Sequence, residues 1–181
     1  MDHAEAVLIG GRARVGKTTV GWEVSVRLRA AEIAHAVIDG DFMGQVHPAP
    51  DGDPHRTSIA EANLTAVWGN YAALGYRRLV YTNTVSVLDE AAGQFRRAMG
   101  ADVRIVRVLL TASDATAAAA ARLNGREIGS ELERELANSA RKAGVLDERA
   151  PIDTVRVVTD GRSVVAIAGD ALAVTGWVNC L

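Results

Sequence analysis

The chain has 181 residues, 49% of them apolar and 23% charged, with a formal net charge of −2. That is the size of one domain with a substantial core, and the composition excludes a disordered chain. No basic block runs along it, which excludes a nucleic-acid partner, and no apolar run is long enough to cross a bilayer, which predicts no membrane partner.

The acidic start Met1–Glu5 lacks the charge and the long apolar run of a secretory leader. The single cysteine, Cys180, cannot form an internal disulfide, which fits a reducing compartment. Both features predict a cytoplasmic protein. Ala6–Ile9 is a short apolar run ending in Gly10-Gly11, the pattern of a strand buried on both faces. From Lys17 onward Val20, Val24, Leu28 and Ala31 recur at helical spacing. His35–Ile38 predicts a second strand, ending in Asp39-Gly40-Asp41.

Phe42 to Arg56 is the longest irregular stretch, rich in Gly, Pro, Asp and His, and ordered loops of that length are often functional. A helix is predicted from Ser58 to Leu74, with Leu64, Val67, Tyr71 and Leu74 on one face and Gly75 ending it. Trp68 and Tyr71 on it read as core residues. Arg78–Asn83 is the third strand, Asp89–Met99 a helix closed by Gly100, and Val103–Leu110 the fourth strand.

An Ala-rich helix is predicted from Asp114 to Leu123, because Ala has the best helix propensity. Two glycines then interrupt the pattern between Asn124 and Ser130, and another helix runs from Glu131 to Lys142. Thr154–Val158 is the fifth strand and Ser163–Ala173 the last helix, with Val164, Ile167, Ala168 and Ala171 on one face. Strands alternating with helices imply a parallel sheet covered on both faces, within a single domain spanning 1–181.

One motif is specific. Gly11-Arg12-Ala13-Arg14-Val15-Gly16-Lys17-Thr18 fits G-x-x-x-x-G-K-[ST] at every fixed position, with a strand before it and an amphipathic helix after it. The glycines let backbone N–H groups close on phosphate oxygens, and the helix start adds its positive end. Lys17 supplies a charge to the β/γ phosphates and the Thr18 hydroxyl a ligand for Mg2+. Residues Gly11 to Thr19 (Gly11, Arg12, Ala13, Arg14, Val15, Gly16, Lys17, Thr18, Thr19) are therefore the expected ATP-binding loop. A Gly-rich turn that binds nothing is the alternative.

The loop, the Ile38-Asp39-Gly40-Asp41 strand end and a late two-arginine segment together resemble the small P-loop kinases. Adenylylsulfate kinase is the nearest in pattern, with chloramphenicol phosphotransferase, gluconate kinase and shikimate kinase beside it. The resemblance implies an α/β/α P-loop NTPase sandwich with a five-stranded parallel sheet in the order 2-3-1-4-5 and a small lid, here at about 122–131. It also implies transfer of the γ-phosphate of ATP, with Mg2+, to a small-molecule hydroxyl.

Asp39 and Asp41 fall at the carboxyl end of a strand, where ligands bind in doubly wound sheets. A carboxylate there orients the acceptor, takes its proton or supports the metal, and related kinases use an acid at this place. Thr18 and Asp39 form the expected metal pair. The alternative is that Asp41 caps a short helix and Asp39 binds loop amides.

Arg122 and Arg126, four residues apart, look like lid arginines that contact the base and the transferring phosphate. A solvated charged face is the alternative. Asp160 and Gly161, after the fifth strand, correspond to the adenine loop, with Ser163 a helix cap.

Adenylylsulfate kinases carry an arginine shortly after Asp-Gly-Asp, where this chain reads Phe42-Met43-Gly44-Gln45. Arg56, Glu61 and Asn63 are loosely similar to that family's arginine and Glu-Asn pair. His47, His55, Asp51 and Asp53 match no zinc spacing and read as solvated loop residues.

The third strand ends Tyr81-Thr82-Asn83-Thr84, with no aspartate of the kind many P-loop enzymes place there. Three functions follow in order: a small-molecule kinase, a nucleotide-binding regulator without a small-molecule acceptor, and a kinase of nucleotides. The last ranks below the others because a second phosphate site needs several arginines and the loop offers only Arg56. The oligomeric expectation is a monomer or a homodimer.

Overall fold

Five apolar runs become five strands because each is bounded by glycine or a turn and has side chains suited to both faces of a sheet. The computed structural model describes residues 3–116 and 129–178. The strands are β1 (Glu5–Gly11), β2 (Ala36–Asp39), β3 (Arg78–Thr82), β4 (Arg104–Thr111) and β5 (Val155–Val158). They form one parallel sheet in the order β2-β3-β1-β4-β5. The parallel sheet and the helices on both faces are as the sequence pattern predicts, and the strand order is the one that the resemblance to the small P-loop kinases implies.

β1 is central, and Ala6, Val7, Leu8 and Ile9 are all fully buried. Its alternate side chains serve two cores. Val7 and Ile9 meet α1 (Lys17–Ala30) and the C-terminal helix α5 (Val164–Ala173), through Val20, Val24, Ile167 and Ala171. Ala6 and Leu8 meet α2 (Thr57–Ala73) and α3 (Asp89–Met99), through Leu64, Trp68 and Phe95. A third cluster sets Leu109 of β4 against Leu146 of α4 (Gly129–Arg149). No helix among the described residues is long and apolar enough to cross a membrane.

The differences from expectation have local causes. Leu74, expected on the buried face of α2, is 75% exposed because the helix stops at Ala73 and Leu74 caps it, while Trp68 fills the core. Gly129 and Ser130, expected in an interruption, already belong to α4. That helix also runs past Lys142 to Arg149, and Gly144 does not stop it because Leu146 is buried beyond it. The Ala-rich helix beyond Thr116, both candidate lid arginines Arg122 and Arg126, and Cys180 lie outside the described residues. The Ser163 cap is present, with its hydroxyl accepting from the Ala166 amide at 3.2 Å.

Candidate nucleotide and acceptor site

The Gly11–Thr18 segment leaves β1 and enters α1 as the motif requires. Gly16 caps α1 at φ 97° and Gly11 sits at φ 145°, in backbone conformations that favour glycine. A Cβ on Gly11 would also lie 2.7 Å from the Leu110 carbonyl oxygen, so the loop packs directly on β4. Arg14 takes φ 63°, a left-handed residue inside the loop. A cleft of about 880 Å³ opens over it, lined by residues 13, 14 and 16–19 of the loop together with Asp39, Asp41, Phe42 and Glu135.

Lys17 is buried, with its Nζ donating to the Arg12 carbonyl at 3.2 Å. Burial pushes its ammonium below the ordinary value, Asp41 and Asp39 push back, and Lys142 adds repulsion. An ammonium poorly solvated by its surroundings gains most from an arriving anion.

The Thr18 hydroxyl donates to Asp39 Oδ2 at 2.8 Å. The other oxygen of Asp39 accepts from the Asp41 amide at 3.1 Å. Asp39 therefore caps the turn Gly40–Phe42 and is also bonded to the Gly11–Thr18 segment. Asp41 does not cap. Its Oδ1 accepts from Asn83 Nδ2 at 2.8 Å. The line Thr18–Asp39–Asp41–Asn83 thus joins the ends of three elements. Asn83, passed over in the sequence because it is not an acid, is the residue that orients Asp41. The available signal was a polar side chain at the end of a strand adjoining β2, whose Asp39 pairs with Thr82 of β3.

Beyond Asp41 lies a second cavity of about 290 Å³, sharing Asp41 and Gln45 with the first and lined also by His55, Arg56, Tyr81 and Asn83. Burial first, then Asp41 and Asp39, raise the Tyr81 phenol to about 12, so it is a proton donor at neutral pH. Arg56 spends its Nε on the Val46 carbonyl at 2.7 Å.

Other candidates point elsewhere. Glu61 is held by Arg97 through two bonds of 2.5 and 2.7 Å, away from the cleft. Asn63 Nδ2 donates to the Met43 carbonyl at 2.8 Å and ties α2 to the turn after Asp41. Asp53 accepts from the Thr57 amide at 2.7 Å and the Ile59 amide at 3.1 Å, so it anchors the start of α2. No cluster of three or more metal-ligating side chains exists among the described residues.

The Asp160 carboxylate accepts from the Ser113 amide at 3.0 Å and the Ser113 hydroxyl at 2.8 Å, and also from Thr116 Oγ1. Its side chain is thus a brace between two loops. The hydroxyl of Thr18 and the carboxylate of Asp39 are hard oxygen donors, a set that suits Mg2+ completed by waters and phosphates.

The strand order, the Gly11–Thr18 loop and the helices on both faces are those of the α/β/α fold of the small P-loop kinases. The fold aligns with a tunicamycin resistance protein from Deinococcus radiodurans over 96% of each chain, with a TM-score of 0.65 and 19% identity. It aligns with a gluconokinase from Sinorhizobium meliloti 1021 over 96% of this chain and 92% of that one, with a TM-score of 0.60 and 18% identity. APS kinase CysC from Mycobacterium tuberculosis, solved with AMPPNP and APS, aligns over 97% and 99%, with a TM-score of 0.58 and 19% identity. At such identities the likeness is one of fold. No protein-family profile matches the chain, and no curated protein matches it.

Proposed function

We propose that this protein is an ATP-dependent phosphotransferase that moves the γ-phosphate to a hydroxyl of a small molecule. The observation that carries the reading is the Thr18–Asp39 hydrogen bond of 2.8 Å at the mouth of the phosphate loop. It brings the loop hydroxyl and a strand-end carboxylate to one point of a cleft large enough for a nucleotide, with a smaller cavity adjoining.

The roles follow from what each group has left to give. Loop amides and Lys17 hold the phosphates. Thr18 and Asp39 would hold Mg2+, which when bound would supply positive charge against the phosphates. Each oxygen of Asp39 already accepts one hydrogen bond, from Thr18 and from the Asp41 amide. Asp41 lines both cavities and commits one oxygen to Asn83, so it is the better base for the acceptor hydroxyl. The sequence alone put Asp39 forward as the base, and the proposal here moves that role to Asp41. The 290 Å³ cavity suits a compact polar acceptor.

The test separates metal from base. Thr18→Val and Asp39→Asn are expected to raise the Mg2+ concentration needed for half-maximal ATP binding by calorimetry. Asp41→Asn is expected to leave that titration unchanged and to cut transfer by roughly 10²–10⁴-fold. If all three variants bind Mg·ATP as the wild type does, the metal assignment fails.

A second reading has its own support. β3 ends in an amide, Asn83, where a carboxylate would hold metal, as in a regulator that binds ATP without transferring it. Tight ATP binding with no transfer to any acceptor would favour it.

A further inference from the structure

The mechanism uses the backbone of Arg12 and leaves its side chain unexplained. Phosphates in such a loop are read by amides and by the lysine, so the residue after Gly11 needs no particular side chain. Yet the Arg12 guanidinium is 4% exposed, and it does not line the phosphate cleft. A charge is buried at this depth only where it is partnered. Its Nε donates to Ser139 Oγ at 3.0 Å, and its Nη1 pairs with the Asp114 carboxylate. These partners lie 127 and 102 residues away in sequence, on α4 and on the helical segment 114–116 after β4. The carbonyl of the same residue accepts from Lys17 Nζ.

One residue therefore joins three things. Its backbone holds the lysine that meets the phosphates. One arm of its planar fork holds α4 and the other holds Asp114. α4 in turn carries Glu135, which lines the phosphate cleft one turn before Ser139. When a triphosphate draws the Lys17 ammonium to its own oxygens, the Arg12 carbonyl loses that donor and the loop resettles. A rigid, buried fork passes such a shift to whatever it grips more faithfully than a flexible side chain does.

The geometry points to Arg12 as a positioning residue that couples occupancy of the phosphate loop to the placement of α4 and of the segment 113–116. This rests on the nucleotide-binding reading above. Asp160 already fastens the same segment to the loop after β5, so the segment cannot follow Arg12 without pulling on that brace too.

The experiment is hydrogen–deuterium exchange of the full chain, with and without saturating Mg2+ and a non-hydrolysable ATP analogue. In the wild type the analogue is expected to slow exchange in the phosphate loop, in 113–116 and in 130–142, the last by about tenfold, within the range usual for coupled sites. In Arg12→Ala, saturated at whatever analogue concentration it needs, protection of the loop is retained and the nucleotide-dependent slowing elsewhere is lost.

Ser139→Ala cuts one arm only and leaves a small, well-tolerated change. It is expected to lose the response in α4 and keep that in 113–116, and it decides the question if Arg12→Ala fails to fold. A merely structural arginine gives the opposite pattern: faster exchange in α4 by the same factor with and without analogue, so that the nucleotide-dependent difference survives. That result overturns the coupling while leaving nucleotide binding intact. A wild type that does not bind the analogue overturns both.

Discussion

Gly40→Ala tests how tightly the two candidate carboxylates are held. Gly40 lies between Asp39 and Asp41 and is buried under Tyr81. A Cβ there would stand 2.1 Å from the Tyr81 hydroxyl oxygen, 2.3 Å from Cζ and 2.7 Å from Cε1, whereas ordinary contact begins near 3.4 Å. The ring would have to retreat by more than an ångström. Its retreat is opposed on one side, where the 4% exposed ring meets the fully buried Phe95 edge-on at 4.9 Å, and movement the other way would distort the smaller cavity that it lines.

Overpacking of this kind costs about 3 kcal/mol, the upper part of the usual range. In a domain of this size that lowers the melting temperature by roughly 6–12 °C. Thermal unfolding by circular dichroism reads it directly. Tyr81→Phe added to Gly40→Ala removes only the hydroxyl contact and leaves the ring contacts, so it restores little. Tyr81→Leu shortens the side chain and restores more than its own cost, a coupling visible in a double-mutant cycle. A Gly40→Ala protein with the wild-type melting temperature would refute the reasoning, since the clash would then be relieved at no cost.

Other outcomes are expected. Gly69 sits inside α2 with nothing within 4 Å of where a Cβ would go. Gly69→Ala therefore stabilises by about 0.5–1 kcal/mol in urea titrations, and a loss of stability would mean the site is not open. Thr116 and Ser113 hold the Asp160 carboxyl below its ordinary value of 3.8. A carboxylate depressed in the folded state stabilises above its unfolded value and loses that contribution as pH falls through the folded one. Wild-type stability should thus fall below about pH 4, and Asp160→Asn should flatten that limb of the acid profile. An unchanged limb would assign the acid loss to other groups.

The fold was legible because its signals are local. Ala6–Ile9 is apolar at consecutive positions because both faces of β1 are buried, and that pattern stands in the sequence without reference to anything distant. The phosphate loop was legible for the same reason: its demands on glycine, lysine and threonine fall within eight consecutive positions. The line from Asp39 to Asn83 was only half legible. Asp41 and Asn83 are 42 residues apart, and their contact exists because β2 and β3 are neighbours in register.

The side chain of Arg12 gave no signal, because the motif leaves that position variable and both partners are remote. α4 exceeded its expected end because Gly144 costs the helix less than the burial of Leu146 returns. Leu74 was misassigned for the converse reason: helical spacing continued one residue beyond the helix itself.

The central claim is that the cleft above Lys17 binds ATP and passes its γ-phosphate across Asp41 to an acceptor in the smaller cavity. The most direct measurement follows the label from γ-labelled ATP with Mg2+ into a panel of acceptors: gluconate, shikimate, adenylylsulfate, chloramphenicol, tunicamycin, aminoglycosides, nucleosides and nucleoside monophosphates. Lys17→Ala serves as the control. The account predicts label in an organic acceptor, absent from the control. Label released only as inorganic phosphate, or ATP bound and never turned over with any acceptor, would contradict it.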